Sequence, residues 1–255
     1  MKIHHEIEDG VLILTLEGDN DLNLGVVSPE LHAHLMDYLA NESLRCAVIT
    51  GHGVKAFSAG GDLKRAAKEG FGVNFWSISE NHRDIMRKPD FPKPMIAAVN
   101  GYCLGEGMMF SMLCDIRLAS RNATFGLPEV KHGFSPGLGA TQRLPRLIGV
   151  GPALEMLMTG DSISAEQAER WGLVNRVVEL PDLMPTARAM ARRIAENPPL
   201  AIRSVRELAV LSHDVPLHEG LRAESMLGEI VRSSEDAKEG PRAFAEKRKP
   251  RYLGR

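Results

Sequence analysis

Two short apolar runs, each stopped by a glycine and each leading into a helix-opening pattern, constrain this chain more than any other feature. Cys46-Ala47-Val48-Ile49-Thr50 ends at Gly51, and Met95-Ile96-Ala97-Ala98-Val99 ends at Asn100-Gly101. Apolar runs of this length, bounded by turn residues, read as buried strands. A glycine-rich loop then leads to a helix expected from Asp62, and a glycine-rich entry leads to a helix expected from Gly105 to Leu113.

The flanking sequence fits the same layering. Lys2 to Ile7 and Val11 to Leu16, either side of Asp9-Gly10, read as a hairpin. Ser28 caps a helix with Pro29 at its first position, and Leu31, Leu35, Tyr38 and Leu39 recur at helical spacing. Ile116 to Ala119 and Ala123 to Gly126 read as further strands, and from Leu183 onward the pattern is helical. Strands alternating with helices, then a helical tail, predict an α/β fold with a C-terminal helical region.

Composition removes several function classes. The chain has 255 residues, is 44% hydrophobic and 25% charged, and has a net charge of −2. That balance gives no reason to expect a nucleic-acid or acidic-membrane partner. The opening Met1 to Glu6 has no apolar stretch, so no signal peptide is expected. No run is long and apolar enough for a transmembrane helix, so the expected location is cytoplasmic. Cys46, Cys103 and Cys114 lack metal-ligand spacing and read as buried free thiols. His32 and His34, two apart on a helix, do not share a face, and no metal site is expected.

Three constellations can carry chemistry. Phe57-Ser58-Ala59-Gly60-Gly61-Asp62-Leu63 joins a strand to a helix through small residues, so a ligand can approach the backbone closely. Amides at such a helix start can donate to a developing oxyanion. Asn100-Gly101-Tyr102-Cys103-Leu104-Gly105-Glu106-Gly107 repeats the arrangement, so two amides can be aimed at one oxygen. In Phe125-Gly126-Leu127-Pro128-Glu129-Val130 one acid stands among apolar residues, and burial would raise its pKa towards a value useful for proton transfer. Each segment alone is also compatible with a plain structural turn or, for Glu129, a solvated or helix-capping carboxylate. His132, one turn from Glu129, is a candidate supporting residue. Gly133-Phe134-Ser135-Pro136-Gly137 matches the spacing of a hydrolase nucleophile elbow. The residue after the serine should donate an N–H there, and Pro136 has none. Ser135 is therefore not expected to be a nucleophile.

In this order, over essentially the whole chain, the segments resemble the crotonase (enoyl-CoA hydratase/isomerase) superfamily. The resemblance also draws on Cys114-Asp115-Ile116-Arg117, Thr141-Gln142-Arg143-Leu144, Gly172-Leu173-Val174 and Ala243 to Lys249. It implies a spiral of ββα turns over 1–198 and a helical trimerisation region over 199–255, assembled as a trimer or hexamer. It implies an acyl-CoA substrate, with coenzyme A as part of that substrate and no separate cofactor. The oxyanion donors would be the amides of Gly61 and Glu106, and Glu129 would move the proton. Ala59, Asp62, Leu63, Met109, Pro136 and Gly137 would line the substrate, and Phe244 and Lys247 would contact the CoA, in this family often from a neighbouring subunit. The segment from Gly70 to Lys88, with Phe71, Phe75, Trp76 and Ile78, would line the acyl pocket.

The chain departs from the family pattern at three places. Hydratases of the family carry a second glutamate where this chain has Met109. The middle glycine of the family's triple glycine is Glu106. Gly18-Asp19-Asn20-Asp21 stands where a basic residue often meets the CoA phosphates. A single proton-shuttling carboxylate favours an enoyl-CoA isomerase, which moves a proton from the α- to the γ-carbon through an enolate. A decarboxylase or specialised lyase passes through the same enolate. Hydration is the alternative and needs another residue to replace the missing acid. A non-catalytic or RNA-binding homologue is a further alternative, disfavoured by the absence of a basic stripe.

Overall fold

The computed structural model describes residues 1–18, 20–69 and 92–255. The expected acyl-pocket segment, Gly70 to Lys88, lies outside them. Asp9 and Gly10 both take positive φ, 50° and 77°, which closes the tight turn between β1 (Lys2–Glu8) and β2 (Val11–Glu17). These strands pair antiparallel from Lys2 opposite Glu17 to Glu8 opposite Val11. Ser28 Oγ accepts from the Leu31 amide, and Pro29 opens α1 (Pro29–Ala40), as the capping pattern predicts.

Two sheets form. The first has six strands in the order β1-β2-β3-β5-β7-β10. In it β3 (Cys46–Gly51), β5 (Met95–Val99), β7 (Ile116–Ser120) and β10 (Arg176–Val178) continue parallel to β2. The second has four strands, β4 (Ala56–Ser58), β6 (Tyr102–Leu104), β8 (Thr124–Gly126) and β9 (Ile163–Ser164), in that order. The chain alternates between them. β3 is followed by β4 and α2 (Leu63–Glu69), and β5 by β6 and α3 (Glu106–Ser111). β7 is followed by β8 and a 3₁₀ helix, Pro128–His132. Each circuit is one ββα turn, so the fold is the expected crotonase-like spiral.

The three-residue strands β4 and β6 lie where the sequence reads only as turns. They are too short to display a period of two, and parallel pairing between successive circuits is what makes them strands. The helices are also trimmed relative to expectation: α2 begins at Leu63 rather than Asp62, and α3 ends at Ser111.

The corners between the sheets depend on two glycines and one asparagine. A Cβ on Gly51 would stand 2.1 Å from the Ala56 carbonyl oxygen, and one on Gly101 would stand 2.2 Å from that of Lys55. Asn100, buried at the second corner, clamps the first. Its Nδ2 donates to the carbonyls of Gly51 (2.9 Å) and Gly53 (2.8 Å), and its Oδ1 accepts from the Gly51 amide (3.2 Å). Successive circuits are thus locked in register at the point where each strand swings towards the site.

One face of the larger sheet packs on α7 (Leu180–Ala195), whose Ala187, Ala191 and Ala195 recur every four residues. Small side chains at that spacing let the helix lie close on Val48, Ile96 and Leu118. The other face and the second sheet enclose the larger core, which includes Phe57, Phe110 and Phe125. The cysteines are buried free thiols, as expected, and burial pushes Cys46 and Cys103 up to about 12. Beyond α7 come α8 (Pro199–Leu211), α9 (Leu217–Ser233) and α10 (Glu235–Ala245). Neither α8 nor α9 has a fully buried residue, and Leu217, Leu221, Met226 and Ile230 stand exposed on α9. Arg45 reaches from the core to the chain's end, donating to the carbonyls of Ala195 and Tyr252.

Asn100→Ala removes three hydrogen bonds, two buried and one part-buried, and takes this partner from the backbone groups of Gly51 and Gly53. Each buried group left unpaired typically costs roughly 1–3 kcal/mol. The variant is expected to lose about 2–4 kcal/mol in urea unfolding, and a loss below about 1 kcal/mol would show that the corner is held by something else.

Candidate active site

Three successive circuits of the spiral deliver three segments to one place. The first is the turn after β4. Its Ala59 amide donates to the Leu22 carbonyl (2.8 Å), and its Gly60 carbonyl accepts from Gly25 (2.8 Å). Gly60 has φ 98°, a conformation that side-chain-bearing residues rarely adopt. A Cβ there would lie 2.9 Å from the Leu104 carbonyl oxygen and 3.3 Å from the Glu106 amide nitrogen. Glycine is therefore required twice over, for its backbone angle and for the close approach of the next circuit.

The second segment is the start of α3. Gly105 has φ 51° and donates to the Gly126 carbonyl on the third circuit (2.9 Å). Gly107 packs its backbone on β4, where a Cβ would stand 2.2 Å from the Ser58 carbonyl oxygen. The two glycine turns thus meet backbone to backbone, with Gly60 and Gly61 on one side and Gly105 and Glu106 on the other.

The third segment carries Glu129 on the 3₁₀ helix opened by Pro128. Glu129 is 7% exposed. Its Oε1 lies 3.1 Å from where a Cβ on Gly105 would stand, and its buried Oε2 has no hydrogen-bond partner among the described residues. Burial pushes its carboxyl above the ordinary value. The hydrogen bond from its own backbone amide pulls the other way, and the nearby Glu106 charge raises it again. A buried polar oxygen with no partner is costly and marks a position where something else is meant to bind.

Glu106 is half-buried, and its carboxyl atoms come within 3.8–3.9 Å of the Cβ position of Gly61. Glu106 has an expected role through its amide alone; the contact of its side chain with the opposite turn is a product of the folded chain. Met109, 3% exposed, lies in the core one turn further along α3, and its amide donates to the Gly105 carbonyl (2.9 Å).

The remaining sequence candidates spread outward. Asp62 is exposed, and its Oδ1 accepts from the Lys64 amide (2.9 Å), which caps the start of α2. Leu63 is exposed at the start of α2, Pro136 is buried and Gly137 exposed in the loop before α4 (Ala140–Ile148). Ser135 is exposed in the same loop, outside any strand-to-helix elbow. His132 is exposed and faces the Phe134 ring rather than Glu129, so the structure gives it no supporting role. Phe244, 87% exposed, lies at the end of α10 and Lys247 just beyond it; the helix packs against α9. Among the described residues no three His, Cys, Asp or Glu side chains gather as a metal would require. Among them, too, no helix is long and apolar enough to cross a membrane.

A ββα spiral whose first two circuits bring glycine turns together beside a buried carboxyl from the third defines the crotonase class of fold. Residues 6–255 match the family model described as enoyl-CoA hydratase/isomerase. The chain is 38% identical over 258 residues to the (E)-benzylidenesuccinyl-CoA hydratase of Thauera aromatica, covering 100% of both chains. It is 43% identical over 224 residues to the carnitinyl-CoA dehydratase of Salmonella enteritidis PT4, covering 86% of this chain and 85% of that one. Among solved structures, the enoyl-CoA hydratase of Bacillus anthracis superposes with a TM-score of 0.89 at 37% identity, with both chains fully covered. A Geobacillus kaustophilus structure described as enoyl-CoA hydratase subunit I superposes with a TM-score of 0.90 at 42% identity, covering 100% of this chain and 99% of that one. The chain belongs to the enoyl-CoA hydratase/isomerase family of enzymes, within the crotonase superfamily.

The raised carboxyl of Glu129 has a consequence for stability. Above its ordinary value of 4.5 the folded chain still holds a proton that the unfolded chain has released, so this group's contribution to stability falls as pH rises through that window. Glu129→Gln cannot ionise. Its stability relative to the unchanged protein is expected to increase as pH is raised from about 4 to about 7, measured by urea unfolding at each pH. A pH-independent difference would remove burial as the cause.

Proposed function

We propose that this protein adds water to, and removes it from, an acyl-CoA thioester through an enolate, with Glu129 moving the proton at the α-carbon. The observation that carries this reading is the buried Glu129 oxygen, without a hydrogen-bond partner among the described residues, beside the junction of the two glycine turns. A thioester oxygen at that junction would accept from the amides of Gly61 and Glu106. Loss of one such donor typically costs about 3–4 kcal/mol of transition-state stabilisation. Burial keeps Glu129 protonated at a higher pH than a solvated carboxyl, so it can give a proton to the α-carbon and take it back. Coenzyme A enters as part of the substrate. Ala59, Asp62, Leu63, Met109, Pro136 and Gly137 line it in this reading.

Relatives bearing the names hydratase and dehydratase support addition and elimination of water. The isomerase reading, in which Glu129 alone carries the proton from the α- to the γ-carbon, is favoured by one feature, the apolar Met109 where a second acid is missing. Both readings share the enolate and Glu129.

We also place a boundary near residue 198, with the helices beyond it joining copies into a trimer or hexamer. The exposed Leu217, Leu221, Met226 and Ile230 supply the apolar surface such an assembly covers, and Phe244 and Lys247 would then meet the CoA of a neighbouring copy. Light scattering at micromolar concentration is expected to give a trimer or a multiple of it; a monomer would remove this role for the tail.

Glu129→Gln keeps the shape of the side chain and removes its acid–base function. Turnover of 2-enoyl-CoA and 3-enoyl-CoA thioesters, followed by mass spectrometry, is expected to fall at least about 100-fold, with the Kd for a saturated acyl-CoA nearly unchanged. Near-normal turnover would refute the assigned role, and the product formed by the unchanged protein separates hydration from isomerisation.

A further inference from the structure

We propose that the side chain of Glu106 is a second catalytic carboxylate: it takes a proton from water as the water oxygen bonds to the β-carbon, the task that Met109 cannot perform. This inference rests on the hydration reading above and deepens it.

Three observations lead here. Glu106 occupies a position where the sequence pattern calls for glycine, so its side chain is an addition to the site rather than part of its frame. That side chain turns towards the opposite turn, within 3.8–3.9 Å of the Cβ position of Gly61. Its charge also raises the Glu129 carboxyl, so the two groups are near enough to act on each other. An acidic pair by itself does not make a site. Here the partner, Glu129, is 7% exposed, and its Oε2 has no hydrogen-bond partner among the described residues. An oxygen placed in this way is an open position for a reacting atom or a water.

The charges work only in one order. Two adjacent carboxyls in a shielded place do not both ionise readily, so the pair carries one proton at its working pH. Burial raises the Glu129 carboxyl above its ordinary value, so in this proposal the shared proton is given to Glu129 and the part of the base to Glu106. A fixed negative charge beside the glycine junction would oppose an enolate oxygen forming there. If Glu106 accepts the water proton in the same step, its charge disappears as the enolate charge appears, and the total charge of the site stays constant. The water oxygen bonds to the β-carbon. The α,β double-bond electrons move to the thioester oxygen, and the enolate then collapses as Glu129 gives its proton to the α-carbon. One water has been added and one proton has moved from Glu129 to Glu106 by way of substrate and water. Return of that proton from Glu106 to Glu129, directly or through solvent, resets the pair. In the reverse direction protonated Glu106 gives its proton to the leaving hydroxyl.

The test compares two partial reactions in Glu106→Gln and Glu129→Gln. Addition of water is read as loss of the conjugated enoyl absorbance of a 2-enoyl-CoA. Enolate formation is read as uptake of solvent deuterium at the α-carbon of the matching saturated acyl-CoA. Glu106→Gln is expected to slow hydration at least about 100-fold while slowing deuterium uptake less than about tenfold, whereas Glu129→Gln slows both. The acid limb of the hydration pH profile should also disappear in Glu106→Gln. Met109→Glu added to Glu106→Gln should recover part of the lost hydration, which a merely misfolded variant would not do. Hydration within about threefold of the unchanged protein in Glu106→Gln, with Glu129→Gln inactive, overturns the role of Glu106 and leaves the Glu129 reading standing. Full activity in Glu129→Gln sinks both.

Discussion

The approach of Gly60 to the next circuit of the spiral is the contact on which the site depends. At 2.9 Å from the Leu104 carbonyl oxygen and 3.3 Å from the Glu106 amide nitrogen, the position of its missing Cβ leaves no room for a side chain. The close packing of two backbones is what brings two turns, more than forty residues apart in sequence, to one point. Everything behind it serves that approach. Parallel pairing of β4 with β6 and of β6 with β8 sets the height of each turn. Asn100 ties the corner of one circuit to that of the one before, and Gly107 lets α3 settle on Ser58.

The electrostatic character of the site follows from the same packing. The third circuit sets Glu129 against Gly105, inside the protein and largely away from water. Its carboxyl therefore sits above its ordinary pKa, and one of its oxygens has no hydrogen-bond partner among the described residues. A fold selected only for stability would avoid this arrangement, because a buried group without a hydrogen bond costs free energy. The strain is local, however. It is borne by a rigid frame of two sheets whose cores are closed by Phe57, Phe110 and Phe125 on one side and the alanine face of α7 on the other.

Much of this was legible in the sequence. The strands Cys46–Gly51 and Met95–Val99, the Ser28–Pro29 helix start and the Asp9-Gly10 turn are local signals. Each follows from residues within one or two turns of each other, and all are present. Glu129 could be singled out because its apolar neighbours foretold burial. Of the second sheet only β8, expected over Ala123 to Gly126, could be read; the other strands, of two or three residues, carry no period and owe their form to neighbours in other circuits. His132 went astray for a related reason: proximity along a helix placed it near Glu129, but the 3₁₀ turn directs it to the surface.

By itself the sequence determined the order of elements, the glycines at the turns, the lone acid in an apolar segment and the resemblance that names the family. These are properties of neighbouring residues, and local sterics and hydrophobicity suffice to express them. Only the tertiary structure decided which side chains share a space. The Glu106 carboxyl faces Gly61, and its charge reaches Glu129, because successive circuits stack in register. Distance through space between residues 61, 106 and 129 is set by that stacking, and no spacing along the chain encodes it.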